Sequence, residues 1–364
     1  MKETIITKPT LLLDEYKCKR NIHAMVEKAN NNSVMFRPHF KTHQSLEIGS
    51  WFKECGVKMI TVSSFTMAEY FSQQFNDITV AFPVNIREIE TINSLAKRIS
   101  LNLLVEAPEV VQFLVQHLKH SVEFYIKIDV GYHRAGIAPN DHASVTSILE
   151  AAKESTLLTF KGFLTHAGHT YQCRSKECVQ KIFRESISHL IELKNYYLKG
   201  YPELILSIGD TPTCSIVEEF SAIDEFRPGN FVFYDLMQFY IGACEISQIA
   251  VAMACPIVAI HKKRNELIIY GGGVHFSKER LEHDEYGTIY GLIVENRGTT
   301  WGDIISGMYV KNISQEHGIV FVPESLIDTY HVGDFLYVLP VHSCLTANLM
   351  GEYVTSTGRL VRRM

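Results

Sequence analysis

Lys41 stands in the run Arg-Pro-His-Phe-Lys-Thr-His, residues 37–43, directly behind an apolar stretch. A lysine amine attacks a carbonyl carbon to form a Schiff base only when it is deprotonated. Partial burial and cationic neighbours both lower its pKa. Arg37, His39 and His43 are such neighbours, and either histidine can also move protons. The plain alternative is a solvated loop lysine. A second run, Ser-Ile-Gly-Asp-Thr-Pro-Thr at 207–213, has the make-up of a phosphate cradle. Gly209 permits close backbone approach, Thr211 and Thr213 offer hydroxyls, and a helix start offers free N–H groups to a dianion. The same residues also read as an ordinary capped helix start, with Thr211 as cap and Pro212 in the first turn. Asp210 is out of keeping with a phosphate: either its side chain points away or the cradle lies elsewhere. Arg227, Pro228, Gly229 and Asn230 offer further backbone donors. Arg134, behind Asp129 and Gly131, is placed either to reach an anionic ligand or to pair with Asp129. Near the C-terminal end, Pro-Val-His-Ser-Cys (340–344) follows an apolar run. If the chain stays extended there, His342 and Cys344 point to one side and offer imidazole and thiolate to one soft divalent ion. A buried thiol beside a surface histidine is the alternative. His275, Glu316 and His317 are weaker candidates for the same role.

These groups need elements to hold them. Short apolar stretches at residues 33–40, 59–64, 77–82, 101–106, 122–130, 158–165, 204–208 and 222–227 read as strands. Amphipathic stretches between them, at 43–55, 66–71, 86–99, 108–118, 142–153 and 176–198, with a short one after Pro212, read as helices. Apolar strands alternating with helices mean a parallel sheet under helices, and eight such units favour a closed barrel over an open sheet. No Gly-x-Gly-x-x-Gly follows the first strand, which counts against a dinucleotide fold. In a parallel barrel the strands' C-terminal ends carry the chemistry, and the runs at 37–43, 129–134, 165–171, 207–213 and 227–230 all fall there. After about residue 245 helical periodicity gives way to strands at 252–261, 266–270, 286–294, 318–322 and 334–339. The expected fold class is therefore α/β: a parallel (β/α)8 barrel over 15–244, with a mostly β domain made of 1–14 plus 245–364. Thr10 to Leu13 should pair in that second domain.

Composition narrows the classes of partner. Lys plus Arg number 35 against 40 Asp plus Glu in 364 residues, a net charge of −5 that offers nucleic acid or an anionic membrane no general attraction. No apolar run reaches the roughly 18 residues of a membrane span, and the first residues lack a signal-peptide core. The eight cysteines are scattered, so a disulfide framework is not expected and a cytoplasmic protein with reduced thiols is.

Together the segments resemble the D-threonine aldolase and D-serine dehydratase family of fold type III pyridoxal phosphate enzymes, whose barrel is like that of alanine racemase. The resemblance runs from Thr10 through the Lys41 run, Asp129 to Gly136, His166 to Tyr171, Ser207 to Thr213, Arg227 to Asn230 with Tyr234 and Asp235, Glu316 to Gly318, and His342 to Cys344. It implies that Lys41 carries pyridoxal 5'-phosphate as a Schiff base. It also implies that Arg134 faces the cofactor's phenolic oxygen, that Tyr171 lies near cofactor and substrate, and that Gly209, Thr211, Gly229, Asn230 and Tyr234 hold the phosphate. His342 and Cys344 would bind a divalent metal, zinc before manganese, that takes the β-hydroxyl of a D-amino acid. Proton removal at Cα by Lys41 gives a dehydratase, yielding 2-oxo acid and ammonia. Removal of the hydroxyl proton by His39 or His43 gives an aldolase, yielding glycine and an aldehyde. The His-x-Cys pair lies closer to the dehydratase branch, the aldolases carrying a carboxylate in the second position. A racemase, with Tyr270 or Tyr286 as second base, is a further alternative. A homodimer is implied as well.

Overall fold

The computed structural model describes residues 6–298 and 300–364. Residues 1–5, which open the segment assigned above to the β domain, and Thr299 lie outside the described residues. The chain divides into two compact units, His23–Gly229 and Met1–Ile22 with Asn230–Met364.

The first unit is the barrel. Eight parallel strands pair in the order Met35–Phe36, Glu225–Phe226, Ile205–Ile208, Leu158–Leu164, Val122–Lys127, Ser100–Val105, Asp77–Pro83, Met59–Val62. The open edges meet through a parallel bridge between His39 and Thr61, with Phe40 N–H donating to Thr61 O at 2.9 Å and Thr61 N–H to Pro38 O at 2.9 Å. Strands buried on both faces need apolar side chains throughout, and Ile60, Val62, Ile78, Leu101, Leu103, Phe124 and Phe163 are almost wholly buried. Helix starts are capped by the residue types that local hydrogen bonding demands. Ser64 accepts from Met67 N–H, Asp141 from Ser144 N–H and Ser175 from Cys178 N–H, while Pro108 occupies the first turn of its helix.

The barrel interior is unusually polar. Arg37 is 1% exposed; its guanidinium donates to Glu225 Oε2 at 2.7 Å and to Asp77 Oδ1 at 2.5 Å. Glu225 also accepts from Ser207 Oγ at 2.6 Å and Tyr125 Oη at 3.3 Å. Arg227 continues the chain of contacts through Ser207 Oγ at 2.7 Å and Thr165 O at 2.6 Å. Burial works against the charge on Arg37, but Glu225 and Asp77 outweigh it and hold the guanidinium firmly protonated.

In the second unit, six strands close on themselves: Val251–His261, Glu266–Tyr270, His317–Phe321, Trp301–Ile313, Gly291–Asn296 and Phe335–Pro340, each antiparallel to the next, with the last returning to the first. Thr10–Leu13 pairs antiparallel with Val251 to Ala254 and parallel with Glu352–Thr355. Elements absent from the sequence reading include the strands Trp301–Ile313 and Glu352–Thr355, the helix Ser343–Met350, and the helix Glu15–Asn31, which begins in this unit and ends in the barrel. The single strand expected over 286–294 is two, Gly287–Ile289 and Gly291–Asn296, the first forming a hairpin with Leu281–His283. The expectation that all thiols are reduced also needs correcting. Cys173 and Cys178, five residues apart, are joined as a disulfide. No described helix is long and apolar enough to cross a membrane.

Candidate active site

In the barrel unit the chain leaves its first strand and turns at Lys41. His39 is fixed on both sides: its N–H donates to Pro228 O at 2.8 Å, and its Nδ1 accepts from Lys41 N–H at 3.3 Å. Gly229 packs directly on it, since a Cβ there would lie 2.8 Å from His39 O. Gly209 is equally confined, its missing Cβ falling 3.0 Å from the Cβ and carbonyl oxygen of Arg227. Both glycines let strand ends approach one another, a reason for glycine that stands whatever ligand is bound. His166 donates from Nδ1 to Gly209 O. Tyr171, on the short helix Gly168–Gln172, brings its hydroxyl to the N–H of Thr211 at 3.4 Å. Asp210 turns away from any cradle: it caps the helix Thr211–Ile216 by accepting from Thr213 N–H at 2.8 Å, and it takes the Thr170 hydroxyl at 2.9 Å. Burial raises its carboxyl to about 6, against these stabilising bonds.

Asp129 does not hold Arg134. Its carboxylate is occupied by the N–H groups of Gly131, Tyr132 and His133 and by the His133 ring. The Arg134 guanidinium lies over the Tyr132 ring, 5.1 Å from its centroid.

The electrostatics of this cluster are one-sided. Burial pushes His39 well below the usual imidazole range, reinforced by the charges of Lys41, Arg227, His166 and Arg134. His166 is pushed down likewise, by burial and then by Lys41, Lys127 and Arg134, against its bond to Gly209. Lys127, which sequence reasoning missed, is 5% exposed at the end of its strand; burial, then Arg227 and Arg134, lower its ammonium to about 7. A lysine closing a strand reads in sequence as a solvent-facing end, and only the inward phase of that strand marks it as buried. His43 lies elsewhere: fully buried, it packs against Phe40, Phe52 and Phe71 and accepts from Ser45 N–H at 3.1 Å.

The second cluster belongs wholly to the other unit. The chain does not stay extended beyond His342, as the sequence reading required; His342 caps the helix Ser343–Met350. The two side chains nonetheless act on each other, Cys344 being among the groups that raise the His342 imidazole. Burial pulls His342 down, but Cys344 and Asp235 outweigh it and hold the imidazole well above its ordinary range. The Asn230 amide nitrogen lies in this network, 2.7 Å from Asp235 Oδ2 and 3.4 Å from Cys344 Sγ. Tyr234 is buried with φ 51, a left-handed backbone that costs a bulky residue on the order of 1 kcal/mol or more and that its surroundings must impose. Among the described residues no group of three or more His, Cys, Asp or Glu is arranged to hold a metal ion. His275 and Glu316 face each other at 3.7 Å. Tyr286 stacks between His283 and Tyr309, while Tyr270 meets His275 edge-on.

A (β/α)8 barrel with a lysine at the end of its first strand and a separate β domain defines an enzyme of the alanine racemase class. The model of the alanine racemase N-terminal domain matches residues 13–236, and that of a putative serine dehydratase domain matches residues 250–356. D-serine dehydratase of Dictyostelium discoideum is 30% identical, the match covering 95% of this chain and 92% of that protein. The 3-hydroxy-D-aspartate aldolase of Paracoccus denitrificans (strain Pd 1222) is 24% identical over 97% of this chain and 89% of its own. The solved structure of D-threo-3-hydroxyaspartate dehydratase from Delftia sp. HT23 superposes with a TM-score of 0.90 at 23% identity, covering 100% of this chain and 99% of that one. The chain belongs to the D-serine dehydratase family of pyridoxal phosphate-dependent lyases.

Proposed function

We propose that this protein is a metal-assisted dehydratase of D-β-hydroxy amino acids, converting D-serine or a close analogue to a 2-oxo acid and ammonia. The donor set fits the cofactor: Lys127, Arg134 and Arg227 stand with Lys41 around two histidines held neutral, an arrangement suited to a ligand carrying several negative charges. Pyridoxal phosphate, when bound, supplies an electron sink for negative charge at the substrate's Cα. Lys41 would anchor it, Gly209, Thr211, Gly229, Asn230 and Tyr234 would hold its phosphate by backbone or hydroxyl, and Arg134 and Tyr171 would flank it. Lys41 Nζ would then be the group placed to take the proton from Cα. His342 and Cys344 suit zinc, with manganese second, as the Lewis acid for the β-hydroxyl.

One observation carries the choice between dehydratase and aldolase. His39 Nδ1 accepts from Lys41 N–H, and His43 Nδ1 accepts from Ser45 N–H. A neutral imidazole has one bare nitrogen. In both rings that nitrogen is already engaged, so each presents Nε2 with its proton attached. Neither is set to remove a hydroxyl proton, the step an aldolase requires. His166 is the opposite tautomer: a carbonyl only accepts, so Nδ1 carries the proton and Nε2 is bare.

The test is a panel of D-serine, D-threonine and D-3-hydroxyaspartate assayed separately for 2-oxo acid and for glycine, with and without a chelator. Oxo acid alone, lost on chelation and restored by zinc, is expected; glycine as the main product would overturn the reading. By the same family resemblance we take the working form to be a cytoplasmic homodimer, which light scattering and cell fractionation check.

A further inference from the structure

Asp235 is fully buried, and its two carboxylate oxygens have separate duties. Oδ1 caps the helix Leu236–Ile241, accepting from Gln238 N–H at 3.0 Å. Oδ2 accepts from the Asn230 amide at 2.7 Å, from Ser343 N–H at 2.9 Å and from Ser343 Oγ at 3.2 Å, and His342 Nδ1 stands 3.4 Å away. With both oxygens taken by protein donors, the carboxylate is not placed to ligate an ion itself. It is placed to govern the groups that do. At 3.4 Å His342 Nδ1 makes no hydrogen bond, but it is the ring nitrogen nearest the carboxylate, whose charge favours a proton there. That leaves Nε2 of the neutral ring bare, which is the form a metal ligand needs. The Ser343 bonds fix the residue that joins His342 to Cys344.

We propose that Asp235 is the positioning residue of the metal pair: it selects the His342 tautomer that offers Nε2 and anchors Ser343 so that imidazole and sulfur converge on one cation. This rests on the reading of His342 and Cys344 as metal ligands. Asn230 belongs to the same device, spanning Asp235 Oδ2 and the Cys344 sulfur.

The experiment measures zinc affinity by chelator competition, on cofactor-loaded protein without substrate, for wild type, Asp235→Asn, His342→Ala and the double variant. Asp235→Asn keeps the shape and the capping oxygen. It should weaken zinc binding about 10- to 100-fold. In the His342→Ala background the same change should alter affinity less than about twofold, because the residue it acts through is gone. Cobalt substitution should retain the cobalt–thiolate absorption of Cys344 in Asp235→Asn at saturating metal. Equal losses in both backgrounds, or no loss in either, would overturn the proposal. Should Asp235→Asn not fold, 15N-histidine spectra of zinc-loaded wild type decide: His342 must show a protonated Nδ1 and a metal-bound Nε2, and the reverse pattern rejects it. A His342→Ala variant that binds zinc as tightly as wild type would instead remove the metal pair itself.

Discussion

The two clusters are built on opposite charge. In the barrel, burial first, and then the charges of Lys41, Lys127, Arg134 and Arg227, push His39 and His166 toward the neutral state. In the other unit a buried carboxylate and a sulfur gather around one histidine and drive it the other way. The barrel set asks for an anion, and the His342 set asks for a cation. A site that surrounds its histidines with cations suits an anionic ligand, and one that sets a carboxylate and a sulfur around a histidine suits a cation.

The largest effect that could break this contrast comes from crossed substitutions. Lys41→Ala should abolish the visible absorption of bound cofactor and cut activity at least about a thousandfold, while leaving zinc content unchanged. Cys344→Ala should do the reverse, losing most of the zinc and a comparable share of activity with cofactor absorption intact. Should either variant lose both ligands, the two clusters are not separable units of binding. A smaller effect is expected from Arg37→Ala, which leaves Glu225 and Asp77 without their guanidinium. Stranding a buried carboxylate costs about 3–5 kcal/mol, readable in urea denaturation of cofactor-free protein. A loss below about 1 kcal/mol would show that the barrel's polar interior contributes little to its stability.

The smallest effect sharpens the electrostatic account. Asp210 has a folded-state pKa of about 6, raised from 3.8, so folding favours its protonated form. That contribution is fully present below about pH 3.8 and disappears as pH rises through 6. Asp210→Asn keeps the cap and cannot ionise. Its stability should match wild type near pH 4 and exceed it by on the order of 2 kcal/mol at pH 8, measured on cofactor-free protein. A constant difference across that range would mean Asp210 titrates normally.

The barrel was legible because its strands are buried on both faces and so write unbroken apolar runs, with helices marked by caps such as Ser64, Asp141 and Ser175. The helix Glu15–Asn31 was hidden by its charge. Its buried positions, Cys18, Ile22, Met25 and Ala29, keep helical spacing but stand among charged residues, Glu15, Lys17, Lys19, Arg20, Glu27 and Lys28. Trp301–Ile313 was hidden for a different reason: much of it is only partly buried, and Gly307 interrupts it. At the site, motifs pointed to candidate residues but not to where each side chain points. Arg37 looked like a neighbour of Lys41 and instead runs into the barrel to Glu225. His43 looked like a proton carrier and is set among phenylalanines. Asp235 stood in the sequence only as part of the family motif with Tyr234, with no role attached, because its partner Ser343 is more than a hundred positions away in the chain.

The pairing of Thr10–Leu13 with Val251 to Ala254 has a consequence for biosynthesis. The first strand leaves the ribosome long before its partners, Val251–His261 and Glu352–Thr355, have been translated. Until they appear, that strand is an apolar edge with nothing to pair with, open to contacts between nascent chains. Deleting these few residues would spare the entire barrel sequence yet leave the far half of the chain unfinished.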